Sequence, residues 1–146
     1  MAITKEQASR DIQTKNWKLR YYEAGEGHPL ILIHGSGPGA TGWSNFSGNI
    51  EALAQHFHVY ALDMSGWGDS QACTKETLDH TGATIEFMDA LGIEKAALVG
   101  NSMGGIVTLS VAVEHPVRVS HVITMGSGSS PMPKLFSAGD GPTEGL

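Results

Sequence analysis

Gly100-Asn101-Ser102-Met103-Gly104 sets a serine between two glycines in the spacing G-x-S-x-G, right after the apolar run Ala96-Ala97-Leu98-Val99 and right before a second apolar stretch. A serine hydroxyl is a weak nucleophile until its surroundings expose and activate it, and a sharp turn from a buried strand into a helix does the exposing. The glycines are a steric requirement, because side chains two residues before or after the serine collide with neighbouring backbone in so strained a turn. At the helix start the Met103 N–H has no intrahelical acceptor, so it is placed to stabilise an oxyanion formed on attack. The competing reading is a tight turn whose serine merely caps the helix. The strand before and the helix after favour the nucleophile.

A second glycine-rich segment, His34-Gly35-Ser36-Gly37-Pro38-Gly39-Ala40-Thr41-Gly42, also follows a buried apolar run and precedes a helical pattern. In a hydrolase it supplies the second oxyanion donor, the backbone N–H of Ser36 or Gly37, at the same edge of the sheet as Ser102. In a dinucleotide-binding protein, residues 37–42 form a G-x-G-x-x-G fingerprint and Asp63, after the next strand, holds the ribose. Pro38 removes a donor from the loop that must cradle a pyrophosphate, and Trp43 is bulky where close helix–strand packing is needed, so this reading is disfavoured.

A triad on such a scaffold runs serine, then acid, then histidine along the chain. His115 and His121 alone follow Ser102. His115 comes thirteen residues on, about 20 Å down a helix, and His121 begins the strand returning from there, so neither is placed to act as base. Glu114 shares that wrong edge, and Asp140 and Glu144 lie in a tail without periodicity. His28, His56, His58 and His80 show no metal-ligand spacing, so no metal is expected.

The elements that position these residues follow from periodicity. Residues 17–24 read as an outer strand and 30–33 as a buried one; 45–57 carry Phe46, Ile50, Leu53 and Ala54 at helical spacing. Residues 59–62 give another buried strand, 77–91 a helix closed by Gly92, 96–99 a third buried strand, 103–114 a helix stopped by Pro116, and 119–125 a fourth buried strand. The alternation βαβαβαβ predicts a mostly parallel sheet with helices on its faces, an α/β fold.

At 146 residues, 40% hydrophobic and 16% charged, the chain has the composition of one globular domain. Nine Lys and Arg stand against 15 Asp and Glu, and five of the nine fall in the first twenty residues, so nucleic acid is an unsuited partner. Cys73 is the single cysteine, which excludes an intrachain disulfide framework and makes a reducing compartment the default. The N-terminus lacks the apolar stretch of a signal peptide, and the run from Met103 to Val113 is too short to span a bilayer. A cytoplasmic protein without a membrane partner is expected.

These residues resemble the α/β-hydrolases and, more narrowly, the meta-cleavage product hydrolases, which break a carbon–carbon bond in ring-opened aromatic compounds. The likeness is carried by His34-Gly-Ser-Gly-Pro-Gly-Ala40, Gly42-Trp-Ser-Asn-Phe46, Asp63-Met-Ser-Gly-Trp-Gly-Asp-Ser70 and Gly100-Asn-Ser-Met-Gly-Gly105, with Ser65 standing where that family usually has proline. The resemblance implies Ser102 as nucleophile, Met103 with Ser36 or Gly37 as oxyanion donors, and Asn45 and Asn101 holding the dienoate end of a small-molecule substrate. Asn45 as a helix N-cap is the plainer alternative, as is Asn101 serving only the backbone of the turn. It implies no cofactor, and a His34 that is structural. It further implies that residues 1–125 are the N-terminal part of a hydrolase core, without lid and last strands, and that 126–146 lead towards a C-terminal part holding the acid and base. That part is expected as a second chain or segment. Left alone, the 119–125 strand would be an open apolar edge prone to association, so a homo-oligomer is expected too. A carboxylesterase, or a catalytically incomplete unit serving binding or assembly, are the alternative functions.

Overall fold

In the computed structural model, residues 2–127 are described. The chain opens with a single helical turn, α1 (Lys5–Ala8), started by a reciprocal capping box between Thr4 and Gln7. It passes directly into β1 (Ser9–Gln13), which pairs antiparallel with β2 (Lys18–Ala24). Then follow β3 (His28–Ile33), α2 (Gly42–Leu53), β4 (Phe57–Leu62), α3 (His80–Ala90), β5 (Ala96–Asn101), α4 (Met103–Glu114), a 3-10 turn at Pro116–Arg118 and β6 (Val119–Met125). One sheet takes all six strands in the order β1-β2-β4-β3-β5-β6, antiparallel up to β4 and parallel from β4 through β3 and β5 to β6. From β3 onward the predicted alternation of strand and helix is present element by element.

Alternate residues of the central strand feed two cores, as the two-residue period of a strand requires. Ile31 and Ile33 join Phe87 and Met88 of α3 and Val107 and Val111 of α4 on one face, while Leu30 and Leu32 join Phe46 and Ile50 of α2 on the other. Burial on both sides explains why β3 and β4 read as apolar runs and not as alternating patterns.

Three expectations are corrected. Residues 17–24 are not the outermost strand: β1 lies outside them, and Leu19, Tyr21 and Tyr22 are buried. α2 begins at Gly42, before residue 45, because Thr41 and Ser44 cap each other reciprocally, and α3 begins at His80, where Asp79 accepts the Gly82 N–H at 2.9 Å. The strand 119–125 is not buried. β6 forms the far edge of the sheet, with Ile123 57% and Met125 42% exposed, since α4 packs on one face of it and the other borders an apolar groove beside α2. That groove encloses about 1050 Å³ and includes Leu30, Leu32, Phe46, Val99 and Ile123 in its walls. The expected connection over residues 126–146 lies, beyond Ser127, outside the described residues. Among the described residues no helix is long and apolar enough to cross a membrane.

Candidate active site

β3 is flanked by β4 on one side and β5 on the other, so the connections leaving the carboxyl ends of β3 and β5 diverge and open a crevice between them. Ser102 stands there, between the last residue of β5 and the first of α4. It is the one non-glycine residue with positive φ among the described residues, at φ 54° and ψ −115°. Its backbone is held on both sides: the N–H donates to Met125 O at 2.7 Å, and the carbonyl accepts from Gly105 N–H at 2.9 Å and Ser127 Oγ at 2.8 Å. The side chain is exposed and makes no capping bond to the helix, although serine readily does so at that position. A strained backbone costing on the order of 1–3 kcal/mol thus delivers a hydroxyl that the helix does not use.

The flanking glycines permit the turn. A Cβ on Gly100 would run into the Gly104 backbone, and one on Gly104 into the carbonyl oxygens of Ile33 and His34. Met103, as the first residue of α4, carries an N–H free of intrahelical partners beside Ser102.

The glycine loop is drawn against this turn. A Cβ at Gly35 would lie 3.4 Å from Ser102 Cβ, and the Gly35 N–H donates to Asn45 Oδ1 at 3.1 Å. The same Oδ1 accepts from Asn101 Nδ2 at 2.9 Å, so Asn45 and Asn101 are joined to each other. Asn45 is not the cap of α2; Thr41 is. Ser36 is exposed and Gly37, at φ 141°, is half-buried in the open part of the loop.

His34 is fully buried and both ring nitrogens are engaged: Nδ1 lies 2.7 Å from Gly35 O, and Nε2 accepts the Met64 N–H at 3.0 Å. Burial holds its pKa below the ordinary histidine value, against the pull of the Gly35 carbonyl. It has no lone pair to spare for Ser102. Asp63 is equally buried, accepting the Gly42 N–H at 2.8 Å and the Asp69 N–H at 3.2 Å. Its carboxylate ties the start of α2 to the loop after β4, so it is not presented to a ribose. Burial raises its pKa, and those two donors oppose the rise. This role escaped sequence reasoning because its partners stand 21 and 6 residues away. Ser127, which braces the Ser102 carbonyl, also left no pattern to read.

The two histidines that follow Ser102 stand away from it. His121 is paired with Ala97 while Met125 is paired with Asn101, which puts His121 four residues, roughly 13 Å, below the elbow. His115 ends α4 at that same lower end. Asp140 and Glu144 lie outside the described residues. No group of three or more potential metal ligands occurs among the described residues.

Comparison with known proteins agrees with this architecture. Residues 28–140 match the α/β-hydrolase fold family. The chain is 40% identical over 134 residues to a 2-hydroxy-6-oxononadienedioate/2-hydroxy-6-oxononatrienedioate hydrolase of Paraburkholderia phymatum, covering 88% of this chain and 46% of the relative. It is 42% identical over 125 residues to a 2-hydroxy-6-oxo-6-phenylhexa-2,4-dienoate hydrolase of Comamonas testosteroni, covering 79% and 44% respectively. A solved meta-cleavage product hydrolase from Pseudomonas fluorescens superposes with a TM-score of 0.76 at 37% identity, over 83% of this chain and 46% of that one. The chain spans about half the length of the curated relatives it matches.

Proposed function

The chain belongs to the α/β-hydrolase fold family, and from that premise we propose that it carries the nucleophile of a hydrolase that cleaves a carbon–carbon bond in a 2-hydroxy-6-oxo-dienoate. The observation that carries the reading is Ser102: an exposed, uncapped hydroxyl on a strained turn at the sheet's crevice, in a chain similar to hydrolases of such dienoates. In this reading the enol substrate is ketonised, Ser102 Oγ or a water adds to the distal carbonyl, and the oxyanion is held by the Met103 N–H and an N–H of the 36–37 loop. The carbon–carbon bond then breaks with its electron pair going to the dienoate fragment, which takes up a proton. Water supplies the remaining oxygen and hydrogen, giving a carboxylic acid and a 2-hydroxydienoate. Asn101 and the Asn45 amide hold the dienoate end, and no cofactor takes part.

The acid and base that Ser102 requires are assigned to further polypeptide, in this chain or a second one, which also covers β6 and the groove beside it. The matched relatives are about twice as long, which is the support for that assignment. The single cysteine supports a reducing, cytoplasmic setting. Purified protein assayed against a ring-fission dienoate and a p-nitrophenyl ester, with Ser102→Ala alongside, tests the reading. Dienoate turnover lost by roughly 10³-fold or more in the variant is the expected result. Equal measurable rates in both proteins would remove Ser102 from the chemistry, Ser102-dependent turnover of the ester alone would make the protein an esterase, and no turnover in either would leave the chain a catalytically incomplete unit.

A further inference from the structure

The spacing G-x-S-x-G accounts for Gly100 and Gly104, and Gly105 stands outside it. A Cβ on Gly105 would fall on the hydroxyl of Ser127 and 2.7 Å from the Ser127 Cβ, so the missing side chain leaves the space that Ser127 fills. Ser127 lies on the chain leaving β6, turned back by Gly126 at φ 61°, a left-handed conformation that suits glycine. Its Oγ is 2.8 Å from Ser102 O and 3.4 Å from Met125 O. A carbonyl only accepts and a hydroxyl carries one proton, so that proton goes to the nearer oxygen, Ser102 O. Met125 O in turn accepts the Ser102 N–H at 2.7 Å. Both backbone polar groups of Ser102 are thus held by the two residues flanking Gly126.

The Ser102 carbonyl does not need this bond for its own satisfaction, because it already accepts the Gly105 N–H at 2.9 Å and the Ile106 N–H at 3.3 Å as α4 begins. Those donors belong to the helix that Ser102 starts, whereas Ser127 pulls from a different element. What it adds is direction. The Ser102 carbonyl and the Met103 N–H share one planar trans peptide and point in opposite directions, so a donor fixed on the carbonyl sets where that N–H faces. At φ 54° and ψ −115° the serine holds a strained conformation that persists only where its surroundings over-determine it.

We infer that Ser127 is a positioning residue, whose hydroxyl, admitted by Gly105, clamps the Ser102–Met103 peptide from the end of β6 and keeps the nucleophile in its attacking orientation. A site aligned before charge develops reacts faster, so the clamp contributes without touching the substrate. The inference rests on Ser102 being the nucleophile, and its test separates the two claims.

Ser127→Ala removes the hydroxyl and Ser127→Thr keeps it. Both are compared with the wild type by fluorophosphonate labelling, in which Ser102 Oγ displaces fluoride, read by mass spectrometry, with urea midpoints to establish that each protein is folded. Ser127→Ala is expected to lower the limiting labelling rate about 10-fold, less than the roughly 10²–10³-fold that loss of an oxyanion donor costs, and to leave the half-saturating probe concentration unchanged. Ser127→Thr should recover most of the rate. A second readout needs no reactivity: the Ser102 carbonyl carbon resonance should move upfield in Ser127→Ala and return in Ser127→Thr. Gly105→Ala should lower the urea midpoint, and combining it with Ser127→Gly should regain stability while labelling stays slow. An unchanged limiting rate or carbonyl resonance in Ser127→Ala, equal losses in the alanine and threonine variants, or a double variant no more stable than Gly105→Ala overturns the positioning role alone. Absence of label on wild-type Ser102 overturns the nucleophile and the positioning role with it.

Discussion

Gly104 illustrates how closely the turn at Ser102 is fitted, because a methyl group there would meet the carbonyl oxygens of Ile33 and His34, which are backbone and cannot swing aside. Gly104→Ala is therefore expected to cost about 2–3 kcal/mol, in the range of overpacking in a well-filled core, read as a lowered urea midpoint. Asn45 makes a different prediction. Its Oδ1 accepts two hydrogen bonds, so Asn45→Ala leaves the Gly35 N–H and Asn101 Nδ2 without an acceptor at a cost of roughly 1–3 kcal/mol. Asn45→Asp keeps the acceptor and should recover most of that stability; equal losses in both variants would show that the amide serves something other than this clasp. These residues differ in how readable they are. The glycines and serine of the turn impose a steric rule on neighbours two positions away, so spacing alone reveals them. His34 and Asp63 bond to backbone 30 and 21 residues distant, and such bonds leave no local trace.

Elements buried on both faces announce themselves by composition, which is why β3, β4 and β5 were legible with their connecting helices. β1 was not: Ser9-Arg-Asp-Ile-Gln13 has Ile12 as its lone apolar residue, and its pairing with β2 supplies what its side chains do not. The starts of α2 and α3 each differ by three residues from the apolar spacing, because Thr41 and Asp79 set them through capping bonds, whereas α4 begins at Met103, where the spacing puts it. β6 shows a third behaviour, an apolar sequence that reads as interior and stands at the edge. Val113, in the last turn of α4, and Val117, in the 3-10 turn before β6, are 73% and 76% exposed, and Ile123 and Met125 border the groove. An unpaired edge with apolar side chains invites strand addition. The chain by itself is expected to self-associate at tens of micromolar, and Ile123→Lys to shift it towards monomer, as sedimentation velocity can measure. A wild type that stays monomeric throughout would mean that β6 is not adhesive.

Across the whole molecule, the crevice depends on buried groups that must stay uncharged for the loops to remain in register. His80, on α3, lies against Ser65 of the loop after β4, its Nδ1 3.4 Å from the Ser65 hydroxyl, and His34 joins that loop to the glycine segment. Burial, with a smaller contribution from the charge of His34, depresses the His80 pKa from 6.5 to about 4, and burial lowers that of His34 as well. A histidine with a depressed folded pKa takes up its proton first in the unfolded chain, so stability is undiminished above pH 6.5 and falls as the pH is lowered towards 4. At 1.36 kcal/mol per pH unit, His80 alone removes on the order of 3 kcal/mol across that window, a large share of the roughly 5–15 kcal/mol that holds an ordinary domain together. Asp63 acts with the opposite sign: its raised pKa lets the folded state bind a proton first, which returns some stability as acid is added. Asp63 contributes from its raised folded pKa down to the ordinary carboxylate value, so the comparison with His80→Gln is what isolates the histidine share. Denaturant midpoints measured at pH 7.5, 6.5, 5.5 and 5 should therefore decline steadily below 6.5, and His80→Gln should flatten the decline by the His80 share whatever it does to stability at neutral pH. A midpoint constant from 7.5 to 5 in the wild type would mean that His80 is not held neutral in the core, and that the loop after β4 is less rigidly joined to α3 than its contacts imply.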